Sequence, residues 1–286
     1  MSHEFIPPFF LGSCEPEEAE IALFGVCWDG TSSFKAGSRF AGFAVREASF
    51  GMEEFSFYQQ QSLLDIKYTD LGDLFLPPGQ KERVLADIAS AVEEVRGRGM
   101  FPIAFGGEHL VALPLILAAH KAHPDMALVH FDAHADLRPE LWGDPLTHAT
   151  IIGRAAEQVG FTNLYQFGIR SGSIEEWQLA QAHDTIRPFT VDAIRTALEA
   201  IGDRPIYLTV DMDVLDPSLY PGTGTPEPGG IDYSTLIAGL KCFKGKRLVG
   251  MDCLELAPHY DATGVSAITM AKTLREMIIL AHNRAR

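Results

Sequence analysis

Between Leu128 and Arg138 the chain reads LVHFDAHADLR, an apolar run that ends on two aspartates around a histidine, with no lysine among them. Asp132, His134 and Asp136 occupy alternate positions. In an extended backbone that spacing turns all three side chains to one side. Three groups able to hold a metal ion would then face one point. Other titrating groups also follow apolar runs: Glu108 and His109 in GGEHL, Asp211 and Asp213 in DMD, and Asp252 and Glu255 in MDCLEL.

Taken singly, each of these has an ordinary explanation. His109 reads as a cap or packed histidine at a helix start, and the DMD pair as a solvated turn. Together they resist it, because carboxylates gathered without cations raise one another's pKa and persist only when protonated or metal-bound. His109, Asp132, His134, Asp136, Asp211 and Asp213 are too many ligands for one catalytic ion with an open position. Two ions sharing bridging carboxylates fit better. Oxygen-rich donors with a minority of imidazole suit Mn²⁺, with zinc or cobalt as substitutes. Such a pair, roughly 3.5 to 4 Å apart, lowers the pKa of a bridging water and holds the hydroxide against an electrophile. This is metal-assisted hydrolysis, and at this point phosphoesterases and aminopeptidases could use the same parts.

The elements that must position these residues read as a parallel sheet covered on both faces. Short runs rich in Val, Ile, Leu and Phe alternate with longer helical patterns. The strands are IALFGV, FPIAFG, ALVHFD, LYQFGI, IYLTVD and RLVGMDCLEL, with a weaker seventh around IKYTDLGD. A helix begins near Gln80 with Val84, Ile88, Val92 and Val95 on one face; another follows Thr190; the last spans about Ser266 to Ala281. No low-complexity segment or repeat divides the alternation, so residues 1–286 are expected to form one domain. The stretch DPSLYPGTGTPEPGG, though linker-like in composition, follows a strand directly and reads as a rigid loop above the sheet, where ligand sites of such folds lie.

The totals agree with a soluble globular protein that has a sizeable core. Hydrophobic residues are 47% and charged residues 21% of 286, which excludes a disordered chain. A formal charge of −15 argues against a nucleic-acid partner and is compatible with a cationic ligand. Cys14, Cys27, Cys242 and Cys253 lack any metal-ligand spacing and read as free thiols of a reducing compartment. MSHEFIPPFF has no basic or long apolar region of a leader, and LVALPLILAA is half the roughly 20 residues of a membrane span. A cytoplasmic protein without a membrane partner is expected.

At this point the motifs resemble those of the ureohydrolases, the family of arginase, agmatinase, guanidinobutyrase and formiminoglutamase, and most of all the bacterial agmatinases. The likeness runs through FGVCWDGTSSFKAGSRFAGFAVREAS, DLGD, GGEHL, FDAHADLR, LTHAT, YQFGIRSGSIEEW, LTVDMDVLDPSLYPGTGTPEPGG and MDCLELAP, nearly the whole chain. It implies a single three-layer αβα domain with an eight-stranded parallel sheet and two Mn²⁺ ions per subunit. His109, Asp132, Asp136 and Asp211 would hold one ion; His134, Asp132, Asp211 and Asp213 would hold the other, with Asp132 and Asp211 as bridges. His148, in LTHAT, falls where the family keeps a proton-shuttling histidine, and Glu255 where a carboxylate grips the guanidinium. Asp136 would act as the general acid/base. The implied reaction is agmatine to urea and putrescine, a step of polyamine biosynthesis, in a homo-oligomer, since family members assemble as trimers or hexamers.

The segment DAHADLRPELWGDPLTHAT lacks the Asn and Ser-rich loop by which arginases hold an amino-acid head group, which disfavours arginase itself. Arg138 would repel agmatine's free ammonium unless it points outward or pairs with Glu140 or Asp144, and could suit the carboxylate of guanidinobutyrate instead. Two other readings are a metal-binding regulatory relative without turnover, which would need neither His148 nor Glu255, and a phosphoesterase, which would want more cations near the metals. Replacing His134 by Ala is expected to impair metal loading and abolish turnover; full activity at unchanged metal content, measured by elemental analysis beside the assay, would refute the assignment.

Overall fold

The structure is a computed structural model and describes residues 14–285; MSHEFIPPFF lies outside that range. In chain order the strands are β1 (Ile21–Gly25), β2 (Phe55–Ser56), β3 (Gln61–Ser62), β4 (Tyr68–Asp73), β5 (Phe101–Phe105), β6 (Ala127–Phe131), β7 (Leu164–Phe167), β8 (Ile186–Arg187), β9 (Ile206–Asp211) and β10 (Leu248–Leu254). The helices are α1 (Ala41–Ser49), α2 (Lys81–Gly97), α3 (Ala112–Ala122), α4 (Ile151–Val159), α5 (Ile174–His183), α6 (Val191–Ile201), α7 (Tyr233–Lys241) and α8 (Val265–His282). Eight strands form one sheet in the order β4-β1-β5-β10-β9-β6-β7-β8, every pairing parallel, while β2 and β3 make a small antiparallel pair.

Two apolar layers sandwich this sheet, and side chains alternate between them along each strand. Leu23, Ile103, Val129 and Leu208 face α1, α6, α7 and α8, whereas Ala22, Ala104, Leu128 and Tyr207 face α2, α3 and α4. Strands buried on both sides explain why the sequence shows continuous apolar runs and not alternation. The helices after Gln80 and Thr190 and the terminal helix lie where expected, and Thr190 caps α6 by accepting the Ala193 N–H. LVALPLILAA becomes a 3-10 turn followed by α3; Pro114 sits in the first turn of α3, where a proline is tolerated. Among the described residues no helix is long and apolar enough to cross a membrane.

The chain path places four strand ends side by side. The connection from β5 through α3 to β6 skips two positions in the sheet, and β9 and β10 later fill them. The central order β5-β10-β9-β6 therefore presents the carboxyl ends of four strands that carry the candidate residues, at the crevice where a doubly covered sheet binds ligands.

The weak seventh strand is β4, at the sheet edge. Its polar residues have a structural use: Asp70 and Asp73 receive the guanidinium of Arg46 from α1, with Nε 2.7 Å from Asp70 and Nη1 2.5 Å from Asp73. Arg46 also lies over the ring of Phe105, 5.0 Å from its centre. Removing the cation would leave two carboxylates with little water around them, so Arg46→Leu is expected to destabilise the fold by roughly 3–5 kcal/mol. Urea unfolding followed by circular dichroism would show an unchanged midpoint if the pair carries no such weight.

Candidate metal centre

His109 stands at the 3-10 turn after β5, and its Nδ1 lies 2.9 Å from Asp136, 3.0 Å from Asp132 and 3.7 Å from Asp211. His134 Nδ1 lies 3.0 Å from Asp213 and 3.6 Å from Asp132. The structure thus brings all six candidate ligands together. Asp132, Asp136, Asp211, Asp213 and His109 are buried, and His134 is partly open. Among the described residues no lysine or arginine forms an ion pair with these aspartates. The nearby Arg170 spends its donors on the carbonyls of Gly168, Asp213, Val214 and Glu227, fixing the DMD turn and the glycine-rich loop.

The convergence does not arise from strand alternation. β6 ends at Phe131, and the residues beyond it turn: the Asp132 carboxylate accepts the His134 N–H at 2.6 Å, and Asp213 accepts the Ala133 N–H at 3.1 Å. Asp136 has φ +53°, a left-handed conformation that swings its carboxylate back toward His109. Glu255, φ +64°, does the same after β10, and its Oε1 accepts the His109 N–H at 2.9 Å. Left-handed backbone at non-glycine residues is a cost that surrounding contacts must offset, and it concentrates at functional sites.

Hydrogen bonds beneath the cluster fix which atoms face it. The Thr209 hydroxyl donates its one proton to Asp252 at 2.6 Å, so it accepts from Nε2–H of His109 at 2.9 Å. Nδ1 of a neutral His109 is then a lone pair aimed at two carboxylates, an arrangement that needs a cation or an extra proton between them. Gln166 acts similarly from β7: its amide oxygen accepts from Thr185, and its NH₂ donates to Ala135 and to His130 Nδ1. His130 therefore carries its proton on Nε2 and donates it to Asp132 at 2.7 Å. It orients Asp132 and has no lone pair left for an ion, although it lies near enough to be counted with the ligands.

The electrostatics agree. Burial, followed by the neighbouring Asp132, pushes Asp136 up to about 7; burial with Asp213 and Asp132 raises Asp211 well above the carboxylate range. Burial alone would depress His109 and His134, but the aspartates reverse this and lift His134 to about 12. Protons thus stand where divalent ions would neutralise the same groups. Donor chemistry, burial and the oriented lone pair all fit a two-ion centre.

Above the cluster opens a cavity of about 300 Å³ whose walls include Arg138, Trp142, His148, Glu176, Thr225 and Glu255. His148 Nε2 lies 3.0 Å from the Ser33 hydroxyl, and burial pushes its imidazole down to about 4. Arg138 pairs with neither Glu140 nor Asp144. Its Nε is 3.4 Å from Glu176, while Asp144 is held by Lys81. The glycine-rich loop does lie over the site, with Thr225 Oγ1 3.3 Å from Asp213, but two of its glycines serve contacts within the protein. A side chain at Gly222 would strike Ser266, and one at Gly230 the backbone of Asp216.

A sequence model described as the arginase family matches residues 19–280. The agmatinase of Bacillus subtilis (strain 168) is 42% identical over 275 residues, 95% of either chain, and that of Halalkalibacterium halodurans is 41% identical over the same length and share. The crystal structure of the agmatine ureohydrolase of Thermoplasma volcanium superimposes with a TM-score of 0.84 at 30% identity, covering 94% of this chain and 92% of that one.

If Thr209 fixes the His109 tautomer, Thr209→Val should lower metal affinity about 10- to 100-fold, the range for partners of metal-ligating histidines. Titration of the metal-free protein with Mn²⁺ by calorimetry measures this; unaltered affinity would remove Thr209 from the site's support.

Proposed function

This chain belongs to the arginase family, and on that premise we propose that it is an agmatinase, hydrolysing agmatine to urea and putrescine with two Mn²⁺ ions. It is a hydrolase of guanidino C–N bonds. The observation that carries the reading is the meeting of Asp132, Asp136 and Asp211 within 3.7 Å of His109 Nδ1, with the Glu255 carboxylate facing the same cavity. His109, Asp132, Asp136 and Asp211 would hold one ion, and His134, Asp132, Asp211 and Asp213 the other. Residues 1–286 act as one ureohydrolase domain of a cytoplasmic homo-oligomer.

Bound there, the ions supply a water acidified to near-neutral pKa and Lewis-acid stabilisation of developing negative charge. The protein does the rest. Guanidinium is a poor electrophile because its charge is spread over three nitrogens, so the substrate must be held for attack. Glu255 has one oxygen fixed by the His109 N–H, and its other is left to take the substrate's N–H groups. Asp136 sits at the centre of the cluster, 2.9 Å from His109 Nδ1, where a carboxylate can take a proton from the attacking water and pass it on. It relays protons from the attacking water to the nitrogen of the breaking C–N bond. Both water protons end on the departing amine, giving an ammonium and neutral urea. His148, on the cavity wall, exchanges protons between the cavity and solvent.

Arg138 favours a second reading. It is a cation on the cavity wall with 39% of its side chain exposed, and the carboxylate of 4-guanidinobutyrate would suit it. Glu176 beside it offsets that charge, which makes a cationic tail acceptable and supports agmatine. Urea release by the Mn²⁺-loaded protein from agmatine, 4-guanidinobutyrate, 3-guanidinopropionate and arginine, with a chelated control, tests both. Metal-dependent preference for agmatine is the expected outcome; preference for the butyrate would transfer the assignment, and no urea from any would overturn it. Glu255→Gln should cut kcat/KM for agmatine by roughly 100-fold, the scale expected when a buried site can no longer form a charge-assisted hydrogen bond.

A further inference from the structure

His148 lies on a segment that contributes none of the candidate metal ligands, yet its position is tightly determined from across the cavity. The controlling residue is Glu108, the neighbour of His109 in GGEHL and fully buried. Its carboxylate receives the Thr31 N–H at 3.0 Å, the Thr31 hydroxyl at 2.5 Å and the Ser32 hydroxyl at 3.0 Å. The segment that leads into Ser33 is thereby pinned to the floor of the site. Thr31 Oγ1 in turn accepts the His148 backbone N–H at 3.1 Å, and Ser33 Oγ meets His148 Nε2 at 3.0 Å. The other ring nitrogen, Nδ1, is buried without a partner among the described residues. Ser33 also lines the cavity.

We propose that Ser33 is a positioning residue for the reaction: carried on the Thr31–Ser33 segment that Glu108 clamps, it holds the His148 ring at the cavity wall through Nε2 and stabilises its protonated form. The hydroxyl suits the task because it can donate to Nε2 or accept from Nε2–H. When His148 is protonated both ring nitrogens carry a proton, and the Nε2–H bond to Ser33 becomes a charge-assisted one, stronger than its neutral counterpart. No covalent change occurs at Ser33. An apolar residue there would free the ring to turn and would leave the imidazolium without that partner in a buried setting that already disfavours it.

This inference rests on the assignment of His148 to proton transfer, and the variants separate the two. His148→Asn should lower kcat for agmatine by about 100-fold, and Ser33→Ala by about tenfold, with KM within roughly twofold in both because neither residue grips the substrate. Ser33→Thr keeps the hydroxyl and should recover most of the rate. In Ser33→Ala the limb of the kcat profile that reports His148 should move to lower pH, because the imidazolium has lost its partner, and ¹⁵N-histidine NMR of the protein loaded with diamagnetic Zn²⁺ should show His148 Nε2 losing its hydrogen-bonded shift, with metal content unchanged. A slow His148→Asn beside a fully active Ser33→Ala overturns the role of Ser33 alone. An active His148→Asn overturns the proton-transfer assignment as well. A Ser33→Ala loss that Thr does not restore, or that appears wholly in KM, would mean Ser33 shapes the cavity and does not act on His148.

Discussion

Everything in this molecule is arranged around negative charge that the protein itself does not neutralise. Asp132, Asp136, Asp211 and Asp213 are buried beside the imidazoles of His109, His130 and His134, and among the described residues no ammonium or guanidinium pairs with them. Burying one such group unpaired is costly, and burying four together is prohibitive unless protons or metal ions neutralise them. Elsewhere the chain compensates buried acids in the ordinary way. Asp70 and Asp73 have Arg46, and Glu276 has Arg275. The contrast marks the centre as built for ions, and Arg170 shows that the exclusion is local: it sits within reach of the DMD turn but is turned onto backbone carbonyls.

Holding such a cluster requires a frame that cannot relax. The sheet supplies it through the skipped positions between β5 and β6, because each of the four central strands delivers its site residues from a different stretch of sequence. Left-handed backbone at Asp136 and Glu255 then turns two carboxylates inward where straight strands would have sent them past the site. The hydrogen-bond relays from Asp252 through Thr209 and from Thr185 through Gln166 and His130 determine lone pairs and not only positions. Preorganised donors of this kind need no rearrangement when charge develops, which is where most electrostatic catalysis comes from.

Much of this is legible in the sequence because the signals are local. Doubly buried strands leave continuous apolar runs, and the grouped Asp and His residues each follow one. β8 and the β2–β3 pair are not legible, since two-residue strands carry no periodicity and exist only through their neighbours. The alternate spacing after β6 implies an extended chain where the structure has a turn, although the residues it singles out are the ones that meet. Sequence spacing gives which side chains can come together, but a positive φ at Asp136 is a tertiary outcome. His130 stands in the same HFDAH string as Asp132, yet its supporting role depends on Gln166, distant in sequence. The partner of Arg138 is hidden for the same reason: Glu176 lies far along the chain in the first turn of α5, where it completes a capping box with Ser173 while also receiving the Leu137 N–H.

That double use of Glu176 bears on how the family's chemistry is adapted to one substrate. A carboxylate committed to a helix cap and to the backbone of the ligand-bearing turn cannot be lost without moving Leu137, and with it the turn that holds Asp136. The same carboxylate neutralises Arg138 on the cavity wall. Charge at the mouth of the site is therefore coupled to geometry at its floor. Substitutions at Arg138 would change the charge of the cavity wall while the ligands stay in place, whereas substitutions at Glu176 would alter both. The asymmetry leaves Arg138 the wall residue whose side chain can be changed without disturbing the turn that holds Asp136.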